Sequence, residues 1–183
     1  MSVTDATTPT RMDSEPNPDR IVYRAAQRED GARMWRLVRD SEALELNTAY
    51  AYLVMCRDFG HTSVVAERDG RVIGFVMAYR PPRDPDVIFV WQIGVDAVAR
   101  GQGVAGTLLR KLVALPGCHG VRYLETTVAP SNRASLELFS SFARRKRVAM
   151  TKAGGFAAAE FPEADEAHEP EDRYRIGPFA HME

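Results

Sequence analysis

The sequence predicts an α/β (α+β) protein with a mixed, mostly antiparallel central sheet flanked by helices. Short β-rich runs alternate along the chain with apolar residues at helical spacing. The pair Asp69-Gly70 stands between two β-rich runs, where it favours a tight antiparallel hairpin. A glycine-rich junction at residues 100–106 leads from a strand pattern into a helix pattern. Together these features indicate a sheet covered by helices.

A strand and two helices are expected first. Residues 21–25 form a short β-rich run, and apolar side chains at residues 34–38 then recur at helical spacing. A second amphipathic stretch runs from Asn47 or Thr48, both suitable N-terminal caps, to Gly60, which is typical of a helix stop. The two helices should therefore follow one another directly.

Three antiparallel strands should come next. Residues 63–67 and 72–79 are the two arms of the predicted hairpin. A loop stiffened by three prolines then leads to a third strand at residues 87–95. Because each strand follows its neighbour along the chain, we expect a meander.

The second half of the chain alternates helices and strands. A helix should run from the glycine-rich junction to about residue 115, followed by a strand at residues 121–128. A longer helix is expected at residues 131–145. Weaker strand patterns occur at residues 153–156 and 174–176. The predicted order is β, α, α, three β, α, β, α, β, β.

Length and charge predict one domain that binds neither nucleic acid nor membrane. We expect this domain at residues 20–183, since 183 residues suit one core better than two. Residues 1–19 are polar and proline-containing, without the pattern of a targeting signal, and predict a disordered tail. A formal net charge of −1 lacks the positive field that attracts DNA or anionic lipids. No apolar run approaches the roughly 20 residues that span a bilayer, so a cytoplasmic location is expected.

The junction at residues 100–106 is a candidate phosphate-binding loop. At such a junction, several free backbone N–H groups and the positive end of the helix dipole point at one spot, which suits a pyrophosphate. Gly101 and Gly103 lack the side chains that would hold phosphates away, and Ala105 has the next smallest side chain.

Several interpretations compete for this loop. The pattern Gly101-x-Gly103-x-x-Gly106, with Glu125 further on, formally fits a dinucleotide site. However, an antiparallel meander precedes it, and the fewer than about 80 residues that follow are too few for two βαβ halves. A P-loop is excluded because Thr107 stands where that motif requires lysine. An acetyl-CoA loop and a glycine-rich turn without a ligand remain.

Three segments in combination resemble the cofactor-binding core of the GCN5-related N-acetyltransferase (GNAT) superfamily. They are Arg100-x-x-Gly103-x-Ala105 after a strand, the strand at residues 121–128, and Asn132-x-x-Ser135-x-x-Leu138-Phe139. The resemblance covers roughly residues 20–160 and implies a GNAT fold with acetyl-CoA as cosubstrate. The cofactor contacts that it implies are Ile93, Val95, Arg100, Gly101, Gln102, Gly103, Val104, Ala105, Asn132 and Phe139.

One position departs from the superfamily pattern. Members often have a tyrosine where this chain has Phe139, and the tyrosine hydroxyl can protonate the departing thiolate. That acid role does not transfer to this chain. A non-catalytic module that binds CoA is therefore one alternative function.

Further segments resemble the L-2,4-diaminobutyrate acetyltransferases of ectoine biosynthesis. This resemblance implies transfer of an acetyl group to the 4-amino group of L-2,4-diaminobutyrate, giving N4-acetyl-L-2,4-diaminobutyrate. It also implies a homodimer and a role in osmotic stress. Another small amine or a protein N-terminus is the alternative acceptor. The matching segments are Leu44-Glu45-Leu46-Asn47-Thr48-x-Tyr50-x-Tyr52-Leu53, Phe89-Val90-Trp91-Gln92, Tyr123-Leu124-Glu125-Thr126-Thr127-Val128-x-Pro130-Ser131-Asn132, His168-Glu169-x-Glu171 and Arg175-Ile176-Gly177-Pro178.

A diamino acid needs carboxylates for its ammonium groups and an aromatic wall. By resemblance, the substrate-site residues are Glu45, Tyr50, Trp91, His168 and Glu171, although the family usually has aspartate at position 45. Each residue also has an ordinary explanation. The two aromatic residues can pack in the core, Glu45 can stabilise the start of a helix, and the acidic stretch at residues 163–172 can be a solvated loop. The spacing of the histidines and cysteines predicts no metal site.

The expected reaction is direct attack of a neutral amine on the thioester. An amine with a pKa of about 10.4 is protonated at neutral pH, so a base must remove a proton. Glu45, Glu125, Glu171 and an ordered water are the candidates. Backbone N–H groups on the strand before Arg100 can polarise the thioester carbonyl as an oxyanion hole does.

Overall fold

The computed structural model describes residues 20–41, 44–162 and 168–180. The predicted tail at residues 1–19 and the acidic residues 163–167 lie outside this part of the chain. The described residues form four α-helices, which are α1 (Asp30–Ser41), α2 (Ala49–Phe59), α3 (Val104–Val113) and α4 (Arg133–Lys146). They also form seven strands, which are β1 (Val22–Ala25), β2 (Val64–Arg68), β3 (Arg71–Tyr79), β4 (Val87–Val95), β5 (Tyr123–Val128), β6 (Ala149–Phe156) and β7 (Glu171–Gly177).

All seven strands belong to one sheet, in the order β1-β2-β3-β4-β5-β7-β6. β4 and β5 pair in parallel, and every other neighbouring pair is antiparallel. The prediction of a mixed, mostly antiparallel sheet is therefore confirmed. None of the helices within the described ranges is long and apolar enough to cross a bilayer.

Helices cover the sheet on both faces. Val64 and Ala66 of β2 face a core that includes side chains of α3 and α4. Val65, between them, faces a second core with side chains of α1 and α2. This alternation follows from the two-residue period of a strand. It places the start of α3 and the start of α4 on the same face of the sheet.

The local signals for turns and caps are confirmed. Asp69 and Gly70 have φ values of 50° and 72°, the left-handed pair that a two-residue hairpin turn requires. The hydroxyl of Thr48 accepts a hydrogen bond from the backbone N–H of Ala51 and caps α2. At its other end, α2 is followed by Gly60, as expected.

Two predicted boundaries differ from the structure. β6 begins at Ala149 rather than near residue 153, and β7 begins at Glu171 rather than near residue 174. β6 is an edge strand that is exposed on both faces from Thr151 onward, so its sequence carries no alternation of apolar and polar residues. No local sequence pattern therefore predicts the pairing of β6 with β7.

The parallel pairing of β4 with β5 stops halfway along β4. Its last pair is Val90 with Thr126. At the same level, Met77 of β3 pairs with Gln92 while the next β3 residue pairs with Val90, which leaves Trp91 as the extra residue of a β-bulge. The Thr126 hydroxyl donates to the Val90 carbonyl oxygen at 3.2 Å. Beyond this point β4 and β5 separate, and a gap opens in the sheet.

Candidate active site

A cavity of about 320 Å³ occupies the gap between β4 and β5. Residues 90–93 of β4 and 126–127 of β5 form its walls, and α4 contributes Asn132 and Phe139. A second cavity, of about 310 Å³, lies between α1 and the β2–β3 turn, and the residues predicted for the site do not line it. The first cavity is therefore the candidate active site.

The loop at the start of α3 has the geometry of an anion site. Gly101 and Gly103 have φ values of 76° and 74°, which glycine adopts without strain. A Cβ built on either glycine would meet no described heavy atom within 4 Å, so the backbone is open to a ligand. The N–H of Thr107 makes a 3.1 Å hydrogen bond to the Gly103 carbonyl oxygen. The N–H groups before Thr107 in α3 have no intrahelical acceptor and are available to phosphate oxygens.

Side chains hold this loop in shape. Asp96 accepts a hydrogen bond from the N–H of Val98 at 3.1 Å. Gln102 donates to the Val98 carbonyl oxygen at 2.9 Å and accepts from Arg68 of β2 at 2.6 Å. The Gln102 side chain thus stabilises the loop through both of these hydrogen bonds. Val104 is buried in the core, and its N–H is one of the free N–H groups at the start of α3.

The other residues predicted to contact the cofactor lie on β4 and α4. Ile93 lines the cavity, and Val95 lies two residues further along β4 and is partly buried. The Asn132 side chain accepts from the N–H of Ser135 at 3.0 Å and caps α4. Phe139 is 2% exposed and still forms part of the cavity wall. Arg100 is exposed on the loop, with Nε 3.4 Å from the Val95 carbonyl oxygen.

The structure brings four of the five predicted substrate residues to the same cavity. Glu45, Trp91, His168 and Glu171 all line it. Trp91 is 44% exposed at the bulge, so it is not the core residue that its apolar strand would suggest. Tyr50 is 72% exposed on α2 and is not among the described residues that line the cavity.

The Acetyltransferase (GNAT) family matches residues 24–143 of the chain. This match covers more than half of the 183 residues and includes both the loop before α3 and the start of α4. The chain belongs to the GNAT family of acetyltransferases.

Relatives of this GNAT acetyltransferase cover nearly all of the chain. The L-2,4-diaminobutyric acid acetyltransferase of Nocardia farcinica is 45% identical over 98% of both chains. That of Marinococcus halophilus is 45% identical over 88% of this chain and 92% of its own length. The diaminobutyrate acetyltransferase EctA of Paenibacillus lautus, solved with its substrate L-2,4-diaminobutyric acid and coenzyme A, is 41% identical. The two structures superpose with a TM-score of 0.84, and the match covers 90% of this chain and 98% of the EctA chain.

These findings confirm the GNAT fold, the N-acetyltransferase class and acetyl-CoA as cosubstrate, all predicted from the sequence. They favour the acetyl-CoA interpretation of the loop over a turn without a ligand. The residues present fit this cosubstrate, because the open glycines and the free N–H groups of α3 face the same space. The gap between β4 and β5 also leaves strand N–H and carbonyl groups available to an extended ligand.

Electrostatics distinguish Glu171 among the candidate bases of this GNAT enzyme. Burial is the main cause that raises the pKa of Glu171, and the nearby charges of Glu45 and Asp172 raise it further. A hydrogen bond from Thr127 and the charge of His168 act in the opposite direction. Glu45 and Glu171 both line the cavity. Such a pair suits a cationic ligand or proton transfer.

The structure does not bring Glu125 to the GNAT cavity. Glu125 is 5% exposed, and the described residues of β5 that line the cavity are Thr126 and Thr127. Its carboxylate accepts from Arg175 at 2.6 Å and lies 3.8 Å from Arg173. Its charge is therefore engaged in ion pairs within the sheet, which explains its burial without a catalytic role.

Sequence reasoning missed the residues that hold His168 in place. The imidazole stacks on Phe161 with ring centroids 3.6 Å apart and an interplanar angle of 12°. Its Nδ1 lies 2.8 Å from the Glu169 carbonyl oxygen, an acceptor, so Nδ1 carries the hydrogen and Nε2 is left for a ligand. The Glu169 carboxylate in turn accepts from the N–H of Ser131 at 3.1 Å. No local pattern links Phe161 to His168, because their contact depends on the tertiary structure.

Gly155 should be essential for the position of Glu171. A Cβ on Gly155 would overlap the Glu171 carbonyl oxygen, whereas Gly154 has no described atom within 4 Å of its Cβ position. Both glycines have positive φ values, 90° at Gly154 and 144° at Gly155. We expect Gly155→Ala to lower the free energy of unfolding by about 1–3 kcal/mol more than Gly154→Ala, because overpacking adds to the backbone strain. Urea denaturation measures this difference, and equal losses in the two variants would contradict it.

Proposed function

We propose that this enzyme transfers the acetyl group of acetyl-CoA to the 4-amino group of L-2,4-diaminobutyrate. The product would be N4-acetyl-L-2,4-diaminobutyrate, an intermediate in the synthesis of ectoine under osmotic stress. One observation carries the proposal. Glu45, Glu171, Trp91 and His168 line the cavity where β4 and β5 separate. The similarity to diaminobutyrate acetyltransferases over nearly the whole chain supports it.

The charges of the cavity match a diamino acid. Glu45 and Glu171 supply two carboxylates for two ammonium groups, and the exposed ring of Trp91 offers a face for a cation. His168 presents Nε2 as a further polar contact. An acceptor without a second amine would leave one carboxylate facing the cavity unpaired, which disfavours its binding. The role of Tyr50 stays a prediction, since it lies on the exposed side of α2.

We propose Glu171 as the base. The reaction forms a bond between the amine nitrogen and the acetyl carbon and breaks the thioester C–S bond, while one proton leaves the amine. Glu171 can take this proton directly or through one water, and its raised pKa brings it closer to that of the amine. Backbone N–H groups of β4 beyond Val90, no longer paired with β5, can stabilise the negative oxygen that forms on the acetyl carbon.

A comparison of acceptors tests the proposed function. The purified protein is given acetyl-CoA with L-2,4-diaminobutyrate, its homologues one methylene shorter and longer, a polyamine, or a peptide with a free N-terminus. We expect kcat/KM to be highest for L-2,4-diaminobutyrate, and NMR of the product to show acetyl on N4. Preferred turnover of the peptide or the polyamine, or acetylation at N2, would refute the proposal.

Arg68 should support cofactor binding through the loop. Its hydrogen bond to Gln102 is a long-range side-chain contact that holds the loop from β2. We expect Arg68→Met to raise the KM for acetyl-CoA about fivefold, since an exposed hydrogen bond from a charged group contributes roughly 1 kcal/mol. The KM for the diamino acid should not change. Arg71→Met, an exposed arginine on the next strand, is the matched control, and equal effects in both variants would contradict this role.

We also infer that the enzyme acts as a homodimer in the cytoplasm. Trp91 and Phe156 are large exposed apolar side chains that share an open cavity of about 460 Å³ beside α2, a surface that a second copy would bury. Cys56 and Cys118 are free and buried, as expected in a reducing compartment. Sedimentation velocity should give twice the chain mass of 20.4 kDa, and a monomer at micromolar concentration would overturn the dimer.

A further inference from the structure

A buried tyrosine hydroxyl lies beneath the loop that carries Glu45. Tyr52 of α2 is fully buried, and its hydroxyl donates to the Gln92 side-chain oxygen at 2.8 Å. Asn47 acts on the same hydroxyl by lowering its pKa, which offsets part of the effect of burial. Gln92 in turn donates through Nε2 to the Glu45 carbonyl oxygen at 2.8 Å.

These bonds connect the two elements that supply the acceptor side of the cavity. Gln92 directly follows the bulged Trp91 on β4. Asn47 and Glu45 belong to residues 44–48, the segment before α2, which we call the acceptor loop. The Gln92 amide therefore links the Glu45 carbonyl to β4, and the Tyr52 hydroxyl holds that amide in place.

Within the described residues, we find few other constraints on the acceptor loop. Glu45 and Leu46 are exposed, and the loop has no regular secondary structure. Leu44 packs closely over Gly94 of β4, where a Cβ would lie 2.9 Å from its side chain. Leu44 anchors the start of the loop against the core, and the bond from Gln92, whose side chain is itself held by Tyr52, fixes the Glu45 carbonyl, so the loop depends on that bond for a defined conformation.

We propose that Tyr52 and Gln92 are positioning residues that determine which length of diamino acid the enzyme accepts. They hold the Glu45 loop at a fixed distance from β4, so that the two carboxylates bind amines separated by one particular chain length. This inference rests on the proposed function, since it assigns the selectivity of the same site. Tyr52 is fully buried and is not among the described residues that line the cavity, and Gln92, which does line it, acts here through its bonds to Tyr52 and to the Glu45 carbonyl oxygen.

The chemistry of the hydroxyl suits this role. Burial raises the pKa of Tyr52, so the hydroxyl keeps its proton and remains a donor to Gln92 across the range of pH at which the enzyme would be assayed. The network should therefore be independent of pH. The acid limb of the activity profile should be the same in the wild type and in variants of Tyr52.

The test uses Tyr52→Phe and Gln92→Met, with Tyr23→Phe on β1 as the matched control. For each, kcat/KM is measured with L-2,4-diaminobutyrate and with its homologues one methylene shorter and longer. Because small misplacements of reacting groups cost up to about 100-fold in rate, we expect Tyr52→Phe to lower kcat/KM for the preferred acceptor about 10-fold. The ratio between the preferred acceptor and its homologues should fall, while the KM for acetyl-CoA stays within about twofold.

The double variant separates positioning from general damage. If the two residues act as one unit, Tyr52→Phe with Gln92→Met should lose little more activity than either change alone. If Tyr52→Phe fails to fold, Gln92→Met at its half-buried position still decides the question. An unchanged acceptor ratio in a folded variant, or an equal rise in both KM values, would overturn the inference. A wild type that prefers another amine would refute the proposed function, and the ratio would then be measured on that amine and its homologues.

Discussion

Replacing Glu171 with glutamine is expected to reduce kcat at least 100-fold, the scale of loss when a general base is removed. Glutamine has nearly the same size and still accepts the hydrogen bond from Thr127, but it carries no charge and takes no proton. The affinity for CoA should be unchanged, because Glu171 lies at the start of β7 and the phosphate loop lies before α3. Steady-state kinetics and calorimetric titration of CoA measure the two effects.

The pH profile gives the same test a second readout. The pKa of Glu171 is raised, so its carboxylate form exists only above that raised value. Activity should be present above it and should be lost as the pH falls through it, at a higher pH than for an ordinary glutamate. The residual activity of Glu171→Gln should lack this acid limb.

Glu169→Gln is the matched control for Glu171→Gln. Glu169 is a carboxylate in the same segment, and its bond to the N–H of Ser131 can be kept by the glutamine oxygen. We expect this variant to keep its acid limb and most of its kcat. If Glu171→Gln retains kcat within about threefold, the base is a water or Glu45 instead.

Replacing Gly103 with alanine is expected to weaken the binding of acetyl-CoA at least 10-fold. At a φ of 74° an L-residue is strained by roughly 1–2 kcal/mol. The added methyl meets no described atom of the protein within 4 Å, so it points into the space that the diphosphate would occupy. Both effects oppose binding, because the strained loop relaxes and the phosphates are held away from the N–H groups of α3.

Gly120→Ala is the control that isolates the ligand effect. Gly120 has a φ of 77° and equally open space around its Cβ position, but it lies in the turn before β5. Both variants should lose a similar free energy of unfolding in urea titrations. Only Gly103→Ala should lose affinity for CoA in calorimetry. Equal affinities in the two variants would show that the diphosphate does not approach Gly103.

Much of the fold was predictable because its signals are local. The Asp69-Gly70 turn, the Thr48 cap and the Gly103 helix start each depend on a few neighbouring residues. Their chemistry determines the backbone wherever the chain is placed. The predicted order of helices and strands is therefore confirmed, although the predicted starts of β6 and β7 are not.

The parts that were not predictable depend on contacts between distant residues. The sequence places Glu125 among the candidate bases, but its ion pair with Arg175 depends on the register between β5 and β7. The stacking of Phe161 on His168 and the bond from Tyr52 to Gln92 likewise require the tertiary structure. Strand register and loop paths are set by packing over the whole sheet, which no short pattern contains.

A crystal structure with CoA and L-2,4-diaminobutyrate bound tests the central claim most directly. That claim is that the two molecules meet where β4 and β5 separate. We expect the diphosphate on the N–H groups at the start of α3, and the 4-amino group between Glu171 and the thiol end of CoA. Density for the diamino acid in the cavity beside α1, or with its 2-amino group toward the thiol, would contradict the account.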